Sequence, residues 1–398
     1  MDRTFDFVIS GAGIIGLATA ISIRKKHHKA SIAIVEKEPA PGLHASGRNS
    51  GVIHSGIYYP PGSLKAKVCA RGGEMMTQFA LEHGVRLRRS GKVIIATREA
   101  DLAVISRLME NAAGGGLRAE RLDAAAIREI EPHCQPYEAG IYVPGTAVVD
   151  SKGILAAMAD KLKHTGVEFF FGERVTGATA DGAGVSTTGG SFSFGHFFNC
   201  AGAYADVVAR SFNVGMDYRL VPFKGIYYKL RPEKYYLARG NIYPVPDINF
   251  PFLGVHFTRS IDDEVFAGPT AIPALGRENY GIIADLNMAE AFETALRLIG
   301  LYINGGMNFR ALVREEIGRY SRKGFWESCR RLVPSIGLDD IVASGKAGIR
   351  PQLINVRERR FEMDFLVERA PRSTHVLNAV SPAFTSALSF AEEITAGI

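Results

Sequence analysis

The strongest constraint on this chain is an eight-residue stretch near its start, Ile9-Ser10-Gly11-Ala12-Gly13-Ile14-Ile15-Gly16. A G-x-G-x-x-G triplet alone is a weak signal, so its surroundings decide its meaning. Here the apolar run from Phe5 to Ser10 predicts a buried strand before it, and the small and apolar residues from Ile14 to Lys25 predict a helix after it. A second strand, Ser31-Ile32-Ala33-Ile34-Val35, then ends at Glu36, 20 residues beyond Gly16. That is a βαβ unit with an acidic residue at the dinucleotide-ribose spacing. In such a unit Gly11 permits the tight turn, Gly13 leaves space for a phosphate at the helix N-terminus, and Gly16 lets helix and sheet approach closely. The Glu36 carboxylate suits free ribose hydroxyls and would repel a 2′-phosphate. A glycine turn without a ligand is the competing reading, and the Glu36 spacing argues against it. The triplet does not separate NAD from FAD.

Beyond this unit the pattern predicts a doubly wound α/β domain interleaved with a second, α+β domain. A glycine-rich loop over 40–62 is followed by helices at Ser63–Glu82 and Ser151–His164, a strand at Val167–Phe171, and short hairpin strands over 172–198. From Arg219 to about Val265 longer, aromatic-rich strands predict an antiparallel sheet, with helical stretches at Ala289–Leu301 and Arg310–Ile317. Short strands at Met363–Val367 and Thr374–Leu377 and a helix at Ala383–Ile394 follow. The expected division is therefore 1–85, 146–218 and 335–398 as a Rossmann-type FAD-binding domain, with 86–145 and 219–334 as the substrate domain. Gly114-Gly115-Gly116 is expected to be a helix stop or a loop.

Charge excludes one function class. The 47 basic and 41 acidic residues leave a net charge of only +6, and the cations are scattered, which is no nucleic-acid footprint. Cys69, Cys134, Cys200 and Cys329 lie far apart with no C-x-x-C pair, so no metal site and no disulfide framework is expected, and reduced thiols in a cytoplasm fit best. No leader-like segment precedes the first strand, and no run approaches the roughly 18 apolar residues of a spanning helix. The expected location is the cytoplasm. A sequence pI near 9.0 is compatible with peripheral contact to the anionic inner membrane.

The loop from Gly42 to Tyr59 carries a cation, a histidine and two tyrosines among its glycines and serines, which is more than a linker needs. Its segment NSGVIHSGIYY (Asn49–Tyr59) resembles the FAD-dependent oxidoreductases of the D-amino-acid oxidase type, and within them the L-2-hydroxyglutarate dehydrogenase/oxidase family. The resemblance extends along the chain through SLKAK (Ser63–Lys67), CAG (Cys200–Gly202), VPFKG (Val221–Gly225), GNIYPVPD…FPFLGVHFT (Gly240–Thr258), GKAGIRPQ (Gly345–Gln352) and NAVSPAFTSA (Asn378–Ala387). It implies FAD, a 2-hydroxy acid substrate, and a quinone or O2 as electron acceptor; no cysteine sits in an obvious flavinylation motif, so noncovalent FAD is expected. Besides Gly11, Gly13, Gly16 and Glu36, it implies cofactor contacts at Lys37, Ser46, Arg48, Asn49, Ser50, Gly51, Val175, Ala201, Gly202, Gly348, Ser381, Ala383 and Thr385. The residues around Ser381 resemble a helix N-terminus that faces the flavin's pyrimidine end. Thr270, Gly276, Val380 and Phe384 depart from the family pattern, as do Arg48 and the Gly348-Ile349-Arg350-Pro351 run. These departures leave the flavin reading intact and bear on the substrate.

Oxidising a 2-hydroxy acid needs a base for the hydroxyl proton, a clamp for the carboxylate, and a hydride acceptor. His54 is the first candidate base, because imidazole titrates near neutrality and its loop is expected along the flavin. A histidine that only hydrogen-bonds cofactor or backbone is the alternative. His256, out of phase with its apolar strand neighbours, is expected to face a cavity or else to be a satisfied sheet histidine. Arg350, expected at the end of a strand of the flavin domain, offers a planar fork for a carboxylate. Tyr59, Lys224, Tyr243 and Arg259 are further pocket candidates. Rival readings are an α-amino or imino acid substrate, a different 2-hydroxy acid without a second carboxylate, and a flavin-bearing redox partner with no turnover of its own.

Overall fold

The computed structural model describes residues 2–180, 182–247, 252–281, 286–304 and 309–398, so Phe250 and Pro251 of the FPFLGVHFT motif lie outside the described residues. The N-terminal strand, Asp2–Ser10, sits at the centre of a parallel layer, between Gly190–Asn199 and Ile32–Glu36. Glu168–Phe171 extends the layer beyond Ile32–Glu36, and Ser373–Asn378 extends it beyond the end of Gly190–Asn199. Antiparallel strands Val175–Ala178, Gly184–Thr187 and Leu366–Ala370 complete this sheet of eight. All five residues of Ile32–Glu36 are buried, as a central parallel strand covered on both faces requires. Ile9 and Ile34 turn to one face, where Leu17, Leu155 and Phe390 of three helices meet them. Val8, Ala33 and Val35 turn to the other, under Phe192 and Phe197.

The helix Leu64–Glu82 is started by Ser63, whose side chain accepts from Ala66 N. It packs on Ala383–Ile394 so closely that a Cβ on Gly72 would lie 2.5 Å from Ser386 Cα. The first predicted element near the C-terminus, Met363–Val367, is displaced: the strand is Leu366–Ala370, because the Asp364 carboxylate is engaged by the amides of Leu64 (2.7 Å) and Lys65 (2.9 Å). Gly114 ends the helix Asp101–Gly114, with Gly116 at φ +64°.

The second sheet has ten strands. Tyr218–Leu230 and Ile341–Asn355 form its backbone, antiparallel from Tyr218 opposite Asn355 to Leu230 opposite Ile341. Val265–Gly268, His256–Arg259 and Asn241–Pro244 follow, then Lys92–Ile95, which runs parallel to Asn241–Pro244. Segment 335–398 is thus divided between the two sheets. Arg350 belongs to the second sheet, not to a strand of the first: a fifteen-residue strand finds its partner in Tyr218–Leu230, which the first sheet cannot supply. The interleaved α/β architecture with an antiparallel second layer is otherwise the predicted one. No helix among the described residues is long and apolar enough to cross a membrane.

Candidate active site

A cavity of about 870 Å³ runs between the two sheets. Its size lies in the range of small-molecule and cofactor sites, about 300–1,000 Å³. Ser10, Gly11 and Glu36 line one end, and His54, His256 and Arg350 line the other.

At the first end the helix Ile14–Lys26 begins at Gly13, which offers no side-chain cap, and no acidic residue stands in its first turn. The positive end of the helix dipole and its free amides are therefore left for an anion. Gly11, at φ +100°, passes so near the next strand that a Cβ would lie 2.5 Å from Cys200 O. Gly16 stays off the cavity wall and serves packing, since its Cβ would collide with Gly11 O. Ser46 Oγ accepts from Ile14 N at 3.0 Å. The buried Glu36 accepts from Ala12 N at 2.7 Å through one oxygen and from Glu38 N at 2.9 Å through the other, so it fixes the turn while keeping lone pairs for a ribose.

Lys37 ties this end to the second sheet. Glu38, His44 and Glu278 gather like metal ligands, but the Lys37 ammonium sits among them, 2.5 Å from Glu278 and 2.8 Å from His44 Nε2. Their carboxylates therefore already hold a cation, and Glu38 is drawn down to about 2 by Lys37 and His44. Beside this knot Arg48 lies over the Tyr280 ring at 4.0 Å, and Arg277 pairs with the fully buried Asp206. Sequence reasoning missed Arg277, Glu278 and Tyr280, all of which line the cavity.

Along the middle, Arg48, Asn49, Ser50, Val175, Ala201, Gly202 and Gly348 all reach the wall, as the resemblance implied. Gly51 does not: at φ +73° its Cβ would lie 2.5 Å from Val149 O, so it packs a strand instead.

At the far end the helix Ala383–Ile394 points its N-terminus into the cavity, with Ser381, Ala383 and Thr385 on the wall. Thr385 Oγ1 accepts from His54 N at 3.0 Å, locking the histidine's backbone to that helix. His54 Nδ1 is buried with no partner among the described residues. His256 is buried and stacks on Tyr243, ring centroids 3.9 Å apart. Its Nδ1 is 2.9 Å from Gly254 O, so Nδ1 carries the proton and Nε2 keeps the lone pair. Burial, with the positive charge of Lys92 and then His256 nearby, pushes His54 down to about 3; burial, outweighing the Gly254 contact, pushes His256 down to about 3. Both rings are neutral at physiological pH, and each keeps a lone pair that can accept a hydrogen bond. Arg350 lies over the Phe252 ring at 5.5 Å and bonds the buried Tyr227 phenol. Tyr59 and Tyr243 complete this end.

Two candidates fall outside it. Lys224 Nζ donates to Asn279 Oδ1 (3.2 Å) and to Gly281 O, so it braces a loop rather than meeting a ligand. Arg259 bonds Asp263 and the carbonyls of Tyr235 and Ala238. Of the departures, Thr270 is engaged inside the sheet by Ile226 N and Lys224 O, and Gly276 is off the wall, whereas Val380 and Phe384 are on it.

The cradle, the helix N-terminus and the continuous cavity fit a dinucleotide with a bulky reactive head. Residues 6–396 match the family model described as FAD dependent oxidoreductase. L-2-hydroxyglutarate dehydrogenase of Indibacter alkaliphilus is 38% identical, over 97% of this chain and 96% of its own. The Escherichia coli K12 protein of the same name is 34% identical over 99% and 93%, and the human mitochondrial one 34% over 97% and 87%. Among solved structures, FAD-bound L-alpha-glycerophosphate oxidase from Mycoplasma pneumoniae superposes with a TM-score of 0.78 at 21% identity, over 98% of this chain and 94% of that one. Glycine oxidase from Geobacillus kaustophilus gives 0.71 at 17%, over 98% and 93%.

Proposed function

Because this chain belongs to the FAD-dependent oxidoreductases, and within them to the L-2-hydroxyglutarate dehydrogenases, we propose that it oxidises L-2-hydroxyglutarate to the 2-oxo acid and passes the electrons to a quinone or O2. The carrying observation is that two neutral histidines and one arginine fork converge at the end of a single cavity whose other end is a dinucleotide cradle. Gly11, Gly13, Ser46 and Glu36 would hold the pyrophosphate and ribose, and Ser381 to Thr385 the flavin's pyrimidine end. Bound there, FAD supplies the acceptor for the hydride that leaves the substrate Cα.

The chain's own groups do the rest. Arg350 clamps the carboxylate next to the reacting carbon and so fixes which face of Cα is presented. His54, held by Thr385, is the first candidate for the hydroxyl proton. Nε2 of His256, whose tautomer Gly254 O sets, is a second lone pair at this end, and the single hydroxyl proton goes to one ring or the other. The N-terminus of Ala383–Ile394 favours negative charge at the cavity end it faces. Thr270, engaged inside the sheet, is off the wall, so that departure takes no group from the cavity.

The test is anaerobic titration of the purified yellow protein at the flavin absorption band. Bleaching by L-2-hydroxyglutarate at a rate at least tenfold above other 2-hydroxy acids is expected. Bleaching by amino acids instead, or by no acid, rejects the reading.

A further inference from the structure

Lys92 opens the strand Lys92–Ile95 and shares a face with Ile94, which packs against Tyr243 and Ile57; Val93 and Ile95 turn to the opposite core. The lysine is 1% exposed, and its Nζ meets no hydrogen-bond acceptor among the described residues. It stands 4.5 Å from the Tyr58 ring centroid and 5.2 Å from that of Tyr243. Both tyrosines line the cavity, Lys92 does not, and the Tyr58 phenol oxygen is buried without a partner among the described residues. The amine is therefore sealed behind a two-ring partition at the reaction end.

The groups facing this corner supply no counter-ion. From the second sheet come Tyr243, Tyr227, His256 and Arg350; from the 54–59 loop, His54, Tyr58 and Tyr59; from the helix Leu64–Glu82, Lys65 and the Cys69 thiol. Burial holds Cys69 and the three tyrosines Tyr58, Tyr59 and Tyr243 protonated. Asp364, beside Lys65 and Tyr59, is engaged by the Leu64 and Lys65 amides. A buried ammonium without a partner is costly, so the amine either sheds its proton or gains an anion from the cavity. Burial pushes Lys92 down to about 7.

We propose that Lys92 is a proton-linked counter-charge: its amine takes a proton from solvent when a carboxylate occupies the reaction end of the cavity and returns it when the site empties. The proposal rests on the reading that this site takes an anionic acid. Lys92 acts through the tyrosine partition and touches no substrate, so it is a positioning charge. It makes binding tighter as pH falls.

The test uses the FAD-loaded enzyme and glutarate, a five-carbon diacid with no hydroxyl to oxidise. Calorimetric titration near pH 8 in two buffers of different ionisation enthalpy counts the protons taken up. Wild-type protein is expected to take up close to one proton per glutarate, and its Kd is expected to rise by up to about tenfold per pH unit above pH 7. The histidines, held near 3, do not titrate there, but Lys65, which burial pushes down to about 8, does, so variants assign the proton. Lys92→Met cannot take up the proton, and Lys92→Arg never releases it, so both should lose the uptake while the arginine variant binds more tightly than the methionine variant. A pH-independent Kd in wild-type protein, or full uptake in either variant, overturns the proposal; if neither variant folds, the uptake must survive in Lys65→Arg, and its loss there overturns the proposal. Enzyme that is bleached by L-2-hydroxyglutarate yet shows no uptake rejects only this inference. Absence of bleaching rejects the functional reading instead.

Discussion

Replacing Arg350 by lysine tests the carboxylate clamp directly. Arg350 stands opposite Phe223 on the long antiparallel pair, its guanidinium over the Phe252 ring and beside the Tyr227 phenol. One terminal nitrogen lies 3.5 Å from where a Cβ on Gly225 would be, so the absence of a side chain at 225 leaves the slot that a planar fork fills. Lysine keeps the charge but ends in a single ammonium, and a two-point contact becomes a one-point contact. Losing one charge-assisted hydrogen bond costs about 1.5–3 kcal/mol, or roughly tenfold to 150-fold in kcat/KM. Most of that should appear in KM, because a carboxylate clamp holds ground state and transition state alike. Flavin content should be unchanged. The assay is anaerobic dye-linked turnover of L-2-hydroxyglutarate, with the flavin-to-protein absorbance ratio read on the same sample. A kcat/KM within about threefold of the parent, less than roughly 0.7 kcal/mol, would refute the clamp.

Gly13→Asp should yield colourless protein, since it places a carboxylate where the helix N-terminus awaits a pyrophosphate; a variant with stoichiometric FAD would remove the dinucleotide reading. Gly276→Lys should leave kcat/KM for L-2-hydroxyglutarate within about threefold, because position 276 is off the cavity wall; a tenfold gain would show that the departure matters. His375, fully buried between the first-sheet strands, is held down to about 4 by burial and then by His196. Its folded value lies below the unfolded one near 6.5, so its contribution is complete above about pH 6.5 and is lost as pH falls toward 4. Between pH 6.5 and 5.5 the parent should lose about 1 kcal/mol more unfolding free energy than His375→Gln, read by urea denaturation. Equal losses would contradict that protonation state.

Much of the cradle was legible because it is local. Gly11 to Glu36 is one βαβ unit, and each residue's task follows from neighbours within about one turn or one strand. The reaction end was legible only in its residue types. His54 and Arg350 stood out as a candidate base and a candidate fork, but Arg350's sheet depended on a pairing with Phe223 across more than a hundred residues. Lys224 looked like a ligand because sequence shows the charge and not the Gly281 carbonyl that takes it. Lys92, before three apolar residues, looks like an ordinary strand-end cation. Nothing in Lys92-Val93-Ile94-Ile95 tells that the next layer is two tyrosine rings. The knot of Lys37 with Glu278 was hidden for the same reason, since its halves lie in loops more than two hundred residues apart.

The wall of the cavity is contributed by residues far apart in the chain: Gly11 and Gly13 at one end, and residues between Gly348 and Thr385 at the other. During synthesis the cradle therefore emerges long before the surface that closes over it. A growing chain that has formed the βαβ unit still lacks the Arg350 strand and the helix that fixes His54, so it offers a dinucleotide only an open groove. Cofactor capture is thereby a late event, and a ribosome-bound chain arrested before Ala383 should stay colourless in excess FAD. Vitamin supply would then act on the yield of finished protein, because bound flavin stabilises only the completed fold.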